Sequence, residues 1–218
     1  IMKMLVAHLI CTLLVVKPSL QLFETKADVL FILDMSGSVG SANFTIMKNT
    51  AANIAGQFKI GKTDTQVGVD VFSTNVKTEI KLRSLNLIEL LRQFIKQIPY
   101  VGGGTKTYDA LDHARTSSFT KQNGDRPGIQ NFAIVMTDGG SDDTRRTCAA
   151  AKKLREEGEG VIIFSIPIGD NIDQREIECI EDNETVRFPA PSFNALKSPS
   201  FRERIAKMIL TVSSPGQG

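Results

Sequence analysis

A chain of 218 residues that is 41% hydrophobic and 23% charged, with 17 glycines and 8 prolines, has the makeup of one globular domain with a sizeable core. This composition excludes a collagenous, disordered or disulfide-dense chain. The formal charge is only +2, and Lys3 and Lys17 account for that excess, so the rest of the chain is balanced and lacks the basic surplus of a nucleic-acid binder.

At the N-terminus, Lys3 precedes an apolar run from Met4 to Val16 that Lys17-Pro18 breaks. A membrane span needs about 20 apolar residues and a secretory-signal core about 7–15. The run therefore predicts a signal segment over residues 1–22, cut between Pro18 and Glu24, and a secreted product with no membrane insertion. The remaining elements are expected over residues 23–212, with 213–218 as a linker or truncation tail.

Asp28–Leu33 is a continuous apolar strand, and Asn43–Phe58 carries apolar residues on one helical face. Gln66–Phe72 and Val76–Ile80 alternate as strands joined only by Ser73-Thr74-Asn75. That link is too short for a parallel crossover, so the second strand is expected at an antiparallel edge. Leu87–Ile98 and Thr107–Phe119 read as helices, Asn131–Met136 as a strand, Asp143–Glu157 as a helix and Gly160–Ile166 as a strand. A short helix, a short strand near Val186 and a last helix over Phe193–Leu210 complete the chain. The pattern predicts an α/β fold: a doubly wound, mostly parallel six-stranded sheet with one antiparallel edge strand and helices on both faces.

Cys11 falls in the signal segment, which leaves Cys148 and Cys179 as an even pair. In a secreted protein a disulfide between their neighbouring helices is the expectation, with two buried free thiols as the alternative. Two glycosylation acceptors agree with secretion: Asn183-Glu184-Thr185, the more accessible, and Asn43-Phe44-Thr45.

In open parallel sheets, sites form beyond the carboxyl ends of the strands. Here those ends carry Asp34-Met35-Ser36-Gly37-Ser38 and Thr137-Asp138-Gly139-Gly140, with Gly102-Gly103-Gly104-Thr105 between them in the chain. Two carboxylates and several hydroxyls without histidine or cysteine make an all-oxygen set, suited to Mg²⁺, or to Mn²⁺ or Ca²⁺, rather than to zinc. Asp142 and Asp143 are expected as solvated residues starting a helix. Arg145, Arg146, Lys152, Lys153 and Arg155 are expected to form a solvated helix face, and His113 to be a packing or surface residue.

Catalytic patterns fail. Gly104-Thr105-Lys106-Thr107 has no glycine immediately before the lysine, as a phosphate-binding loop requires. The haloacid-dehalogenase layout needs a second aspartate where Ser36 stands, and neither a dinucleotide glycine fingerprint nor a nucleophile elbow follows the first strand. No enzyme is expected.

Asp34-x-Ser36-x-Ser38, Thr105 after its glycines, and Thr137-Asp138-Gly139 resemble the metal-ion-dependent adhesion site of von Willebrand factor type A domains. The likeness extends from about Ala27 to about Thr211, and all five metal positions hold the family's residue type. The resemblance implies a cation held directly by Ser36 and Ser38, through water by Asp34 and Asp138, and directly or through water by Thr105. It further implies that an exposed Asp or Glu of an extracellular partner completes the coordination, with collagen the first choice, and that Met35, Asn75, Gly103, Lys106, Gly140 and Ser141 shape the contact. The setting implied is the extracellular matrix. A structural matrix module associating without metal and the ectodomain of a membrane-anchored adhesin are the competing readings.

Overall fold

The computed structural model describes residues 22–158, 160–181 and 184–213. The expected signal segment up to residue 21, the acceptor Asn183 and the tail from 214 lie outside the described residues. The strands are β1 (Ala27–Asp34), β2 (Gln66–Phe72), β3 (Val76–Ile80), β4 (Gln130–Thr137) and β5 (Ile162–Pro167), in sheet order β3-β2-β1-β4-β5. All neighbours run parallel except β3, which pairs antiparallel with β2 as its short connection requires.

Six α-helices are described: α1 (Gly40–Ala55), α2 (Ile88–Gln97), α3 (Thr107–His113), α4 (Thr144–Glu157), α5 (Gln174–Ile180) and α6 (Pro199–Ser213). Every residue of β1 is buried. Val29, Phe31 and Leu33 face a core built from α1, α2 and α6, while Leu30 and Ile32 face a second core under α3, α4 and α5. A strand covered on both faces has no solvent side to hold polar residues, hence the unbroken apolar run.

Two expectations are corrected in detail. The sheet has five strands among the described residues, not six. After α5 the chain forms a 3₁₀ turn (Glu184–Val186) and, among the described residues, pairs along the β5 edge at isolated bridges, Ser165 with Arg187 and Ile168, just past β5, with Ala190. Phe188 and Ala190 donate to Ser165 O and Pro167 O, each at 2.9 Å, but the 3₁₀ turn just before them leaves too few extended residues for a strand, and the alternating Pro189 and Pro191 have no N–H to offer a further strand on the open side. The last helix is also divided, into a 3₁₀ turn (Phe193–Lys197) and α6, which begins at Pro199, where a missing N–H is harmless.

Cys148 and Cys179 form a disulfide between α4 and α5 across a sequence separation of 31. Closing a loop of that length restricts the unfolded chain by about 3–4 kcal/mol. Replacing both cysteines with serine is expected to lower the unfolding free energy by about that amount. An unchanged denaturant midpoint would show that the bridge carries no such constraint.

Asp70 of β2 is fully buried. Its Oδ2 accepts from Ser118 Oγ at 2.6 Å, in the π-helical turn Ala114–Ser118 that continues α3, while Oδ1 has no partner among the described residues. Thr78 Oγ1 links the group to His113 Nε2 at 2.8 Å, so His113 is a packing residue as expected. Burial pushes the Asp70 carboxyl up, against the hydrogen bond from Ser118, the nearby Thr78 hydroxyl and the charge of His113. Folding therefore favours the protonated form, and Asp70 costs stability as pH rises from the ordinary carboxylate range toward its raised folded value. Asp70→Asn, compared with wild type in urea, is expected to show a larger stability gain at pH 7 than at pH 4. An equal difference at both pH values would contradict this.

Candidate metal centre

β1 and β4 pair in register, Leu33 beside Met136, so Asp34 and Thr137 end their strands side by side. Asp34 is 0% exposed. Its Oδ1 accepts the N–H of Ser36 at 2.8 Å and its Oδ2 accepts the Thr137 hydroxyl at 2.7 Å. Burial pushes the Asp34 carboxyl up to about 6, opposed by the bonds from Ser36 and Thr137, and the groups acting on it include no basic side chain. Above this floor the Ser36 and Ser38 hydroxyls are 3.1 Å apart, and Ser38 Oγ donates to Asp138 Oδ1 at 2.8 Å. Four of the five expected metal residues thus form one connected set of oxygens, rising from buried Asp34 to exposed Ser38.

Thr105 joins them through the backbone. Gly37 N donates to Gly103 O at 2.9 Å, tying the glycine loop to the serine loop. Asp142 grips Thr105 from the other side: its carboxylate accepts Thr105 N–H at 3.2 Å and its own N–H donates to Thr105 O at 2.8 Å. Gly104 N donates to Thr74 Oγ1 at 2.9 Å and Lys106 N to Ser73 O at 3.0 Å, so the β2–β3 turn supports the same loop. Gly103 has φ +123°, and a Cβ there would lie 2.7 Å from Thr74 Oγ1. Both conformation and space demand glycine.

Of the residues expected to shape partner contact, Asn75, Gly103 and Gly140 are exposed and Lys106 is half-buried. Met35 is not available: it is 6% exposed and packs in the core with α1 and α2, because its N–H continues the sheet by bonding Phe72 O at 2.8 Å. Ser141 is half-buried, its hydroxyl engaged with Glu176 and Thr147. Asn43 is half-buried in the first turn of α1.

Asp143 caps α4, accepting Arg146 N–H at 3.0 Å, and exposed Asp142 just before it also clasps Thr105, a contact the sequence reading did not include. Arg155 leaves the solvated face to bond the Cys179 and Ile180 carbonyls at the end of α5. Several supporting residues escaped the sequence reading. Thr137 was legible, since it stands beside Asp138 at a strand end. Tyr100, whose hydroxyl donates to Ser36 O at 2.9 Å, and Glu176 carry no local signal, because their partners lie 64 and 35 residues away in the chain.

The donors fit a hard dication. Paired hydroxyls, a carboxylate at the rim and a buried carboxylate without a basic neighbour form an oxygen-rich, negatively charged cradle. The fit rests on hydroxyls, since among the described residues no group of three or more His, Cys, Asp or Glu could hold a metal ion, and no helix there is long and apolar enough to cross a membrane.

Residues 28–202 match the family model described as von Willebrand factor type A domain. The Xenopus laevis collagen alpha-1(XXI) chain is 38% identical over 154 residues, 70% of this chain and 15% of that one. The human collagen alpha-6(VI) chain is 36% identical over 175 residues, 80% of this chain and 7% of that one. Proximal thread matrix protein 1 of the mussel byssus, solved with zinc in its MIDAS motif, superposes with TM-score 0.79 at 27% identity, covering 87% of this chain and 49% of that one. Manganese-loaded Plasmodium vivax TRAP protein shares the fold, with TM-score 0.65 at 20% identity over 81% of this chain and 74% of that one. The chain thus spans a small part of its collagen relatives and about half of the byssus protein.

Gly103→Ala is expected to cost about 1–3 kcal/mol through backbone strain and the clash with Thr74. Chemical denaturation checks this, and an unchanged unfolding free energy would show that the loop does not require its left-handed glycine.

Proposed function

The chain belongs to the von Willebrand factor type A domain family, and from that premise we propose that it is a secreted matrix adhesion module binding an acidic protein partner through a divalent cation. The connected oxygens of Asp34, Ser36, Ser38 and Asp138 carry this reading. Ser36 and Ser38 would hold the cation directly, Asp34 and Asp138 through water, and Thr105 directly or through water. When bound, the cation supplies an electrophilic position that a partner's Asp or Glu can fill. Mg²⁺ is the first choice for this donor set, with Mn²⁺ or Ca²⁺ as substitutes.

The chain's own residues prepare that event. Asp34 leaves a negative floor without a basic side chain to neutralise it, and its bond to Ser36 N–H fixes the first loop. Asp138 orients the Ser38 hydroxyl, and Asp142 holds Thr105 in place. Asn75, Gly103, Lys106 and Gly140 form the rim that a partner would meet, collagen being the first candidate. That the similar chains are matrix collagens and a byssus matrix protein supports an extracellular setting and argues against an enzyme. The acceptor Asn183 is the proposed glycosylation site, ahead of half-buried Asn43.

A second reading, association without metal, draws on the exposed apolar residues Leu87, Leu90 and Phe94 along α2. Binding to immobilised fibrillar collagens and other matrix proteins in Mg²⁺ and in EDTA separates the two. The metal reading expects binding in Mg²⁺ that is lost in EDTA and lost in a folded Asp138→Ala variant. Binding that survives both EDTA and Asp138→Ala, and falls with Phe94→Asp, would move the interface to α2.

A further inference from the structure

Ser141 stands between Asp138 and the start of α4, and nearly everything it makes points inward. Its N–H donates to both carboxylate oxygens of Glu176, at 3.0 and 3.1 Å, and its hydroxyl donates to the same carboxylate. That hydroxyl also accepts from Thr147 Oγ1 at 2.8 Å. Glu176 is 1% exposed and Thr147 is fully buried. A buried carboxylate satisfied by one residue's N–H and O–H is costly to leave unpaired, so Ser141 and Glu176 must move together or not at all.

Glu176 belongs to α5, a helix of seven residues. A helix this short does not hold itself in place. Three ties from α4 do so. The Cys148–Cys179 disulfide joins the two helices at the residue after Thr147 and three residues after Glu176. Arg155 Nη1 donates to the Cys179 and Ile180 carbonyls at 3.0 and 2.6 Å, and Thr144 Oγ1 donates to Asp173 Oδ2 at 3.0 Å. On the other side of Ser141, Asp142 passes the constraint on to Thr105 through two hydrogen bonds.

We infer that Glu176 is a positioning residue for the candidate metal centre: with α5 locked to α4, its carboxylate holds Ser141 and so fixes the loop that carries Asp138 and reaches Thr105. The consequence for cation affinity rests on the metal reading of that loop, while the clamp itself rests on contacts within the chain. A loop ordered beforehand loses less freedom when cation and partner arrive. The clamp also accounts for the placement of the disulfide, beside the metal loop's inner support.

The test is Glu176→Gln in the full chain, which keeps the side-chain volume but removes the charge and leaves one acceptor oxygen where the Ser141 N–H and hydroxyl now share two. Two channels are read. In metal-free protein, amide hydrogen exchange at Ser141 is expected to accelerate about tenfold or more relative to wild type. The acceleration should be centred on Gly139–Asp142 rather than spread over α4 and α5, as a merely structural role would spread it. In a Mn²⁺ titration, affinity is expected to fall about 10- to 100-fold, the usual loss when an outer support of a metal site is removed.

Unchanged Ser141 exchange in the folded variant overturns the clamp. Faster exchange with unchanged Mn²⁺ affinity overturns its role at the metal centre. A wild-type chain that takes up no Mn²⁺ defeats the metal reading, and the positioning role with it, whatever the exchange shows. Should Glu176→Gln not fold, Ser141→Ala removes the hydroxyl contacts to Glu176 and Thr147 and leaves the carboxylate its backbone donor. Exchange at position 141 is then expected to rise, and unchanged exchange overturns the inference.

Discussion

The bond from Thr137 Oγ1 to Asp34 Oδ2 at 2.7 Å, deep between the ends of β1 and β4, is where the sheet becomes a site. Two adjacent parallel strands must both end at the same edge of the sheet, so whatever follows them in sequence is brought together. Here the residues that follow are oxygen donors. The geometry needs no special folding event beyond correct pairing of two central strands, whose apolar side chains fill both cores. Burial of Asp34 without a basic partner leaves an electrostatic deficit that a dication is suited to relieve.

Around that floor, the three loops are tied mostly by backbone groups. Gly37 to Gly103, Lys106 to Ser73, and Asp142 to Thr105 are contacts in which at least one partner is main chain, so they depend on loop conformation more than on side-chain identity. This makes the centre sensitive to glycines and to the attitude of neighbouring helices. It also explains how α5, which contributes no expected metal donor, bears on the centre through Glu176. The covalent bond between α4 and α5 stiffens the side of the loop that no strand supports.

Much of this was legible in the sequence, and the reasons differ by element. The buried strands announced themselves because a strand covered on both faces is apolar throughout, and β3 was fixed as an antiparallel edge by a three-residue connection. The candidate metal residues stood out because their spacing along each loop is local. What escaped depended on contacts distant in the chain. Asp142 is the helix-start residue it looks like, but its clasp on Thr105 lay hidden because that partner is 37 residues earlier, and Glu176 looked like any helical glutamate. Met35, between two site residues, looked exposed, but its position at the end of β1 turns it into the core. The sixth strand is reduced to isolated bridges, since Glu184–Val186 coils into a 3₁₀ turn where the strand was expected.

The central claim is that the serine loop and the Asp138 loop share one cation, and crystals of the chain grown with Mn²⁺ test it most directly. The account predicts an anomalous-scattering peak coordinated by the Ser36 and Ser38 hydroxyls, with Asp34 and Asp138 reaching it through water. A peak elsewhere on the molecule, or none at a saturating Mn²⁺ concentration, would contradict the metal reading.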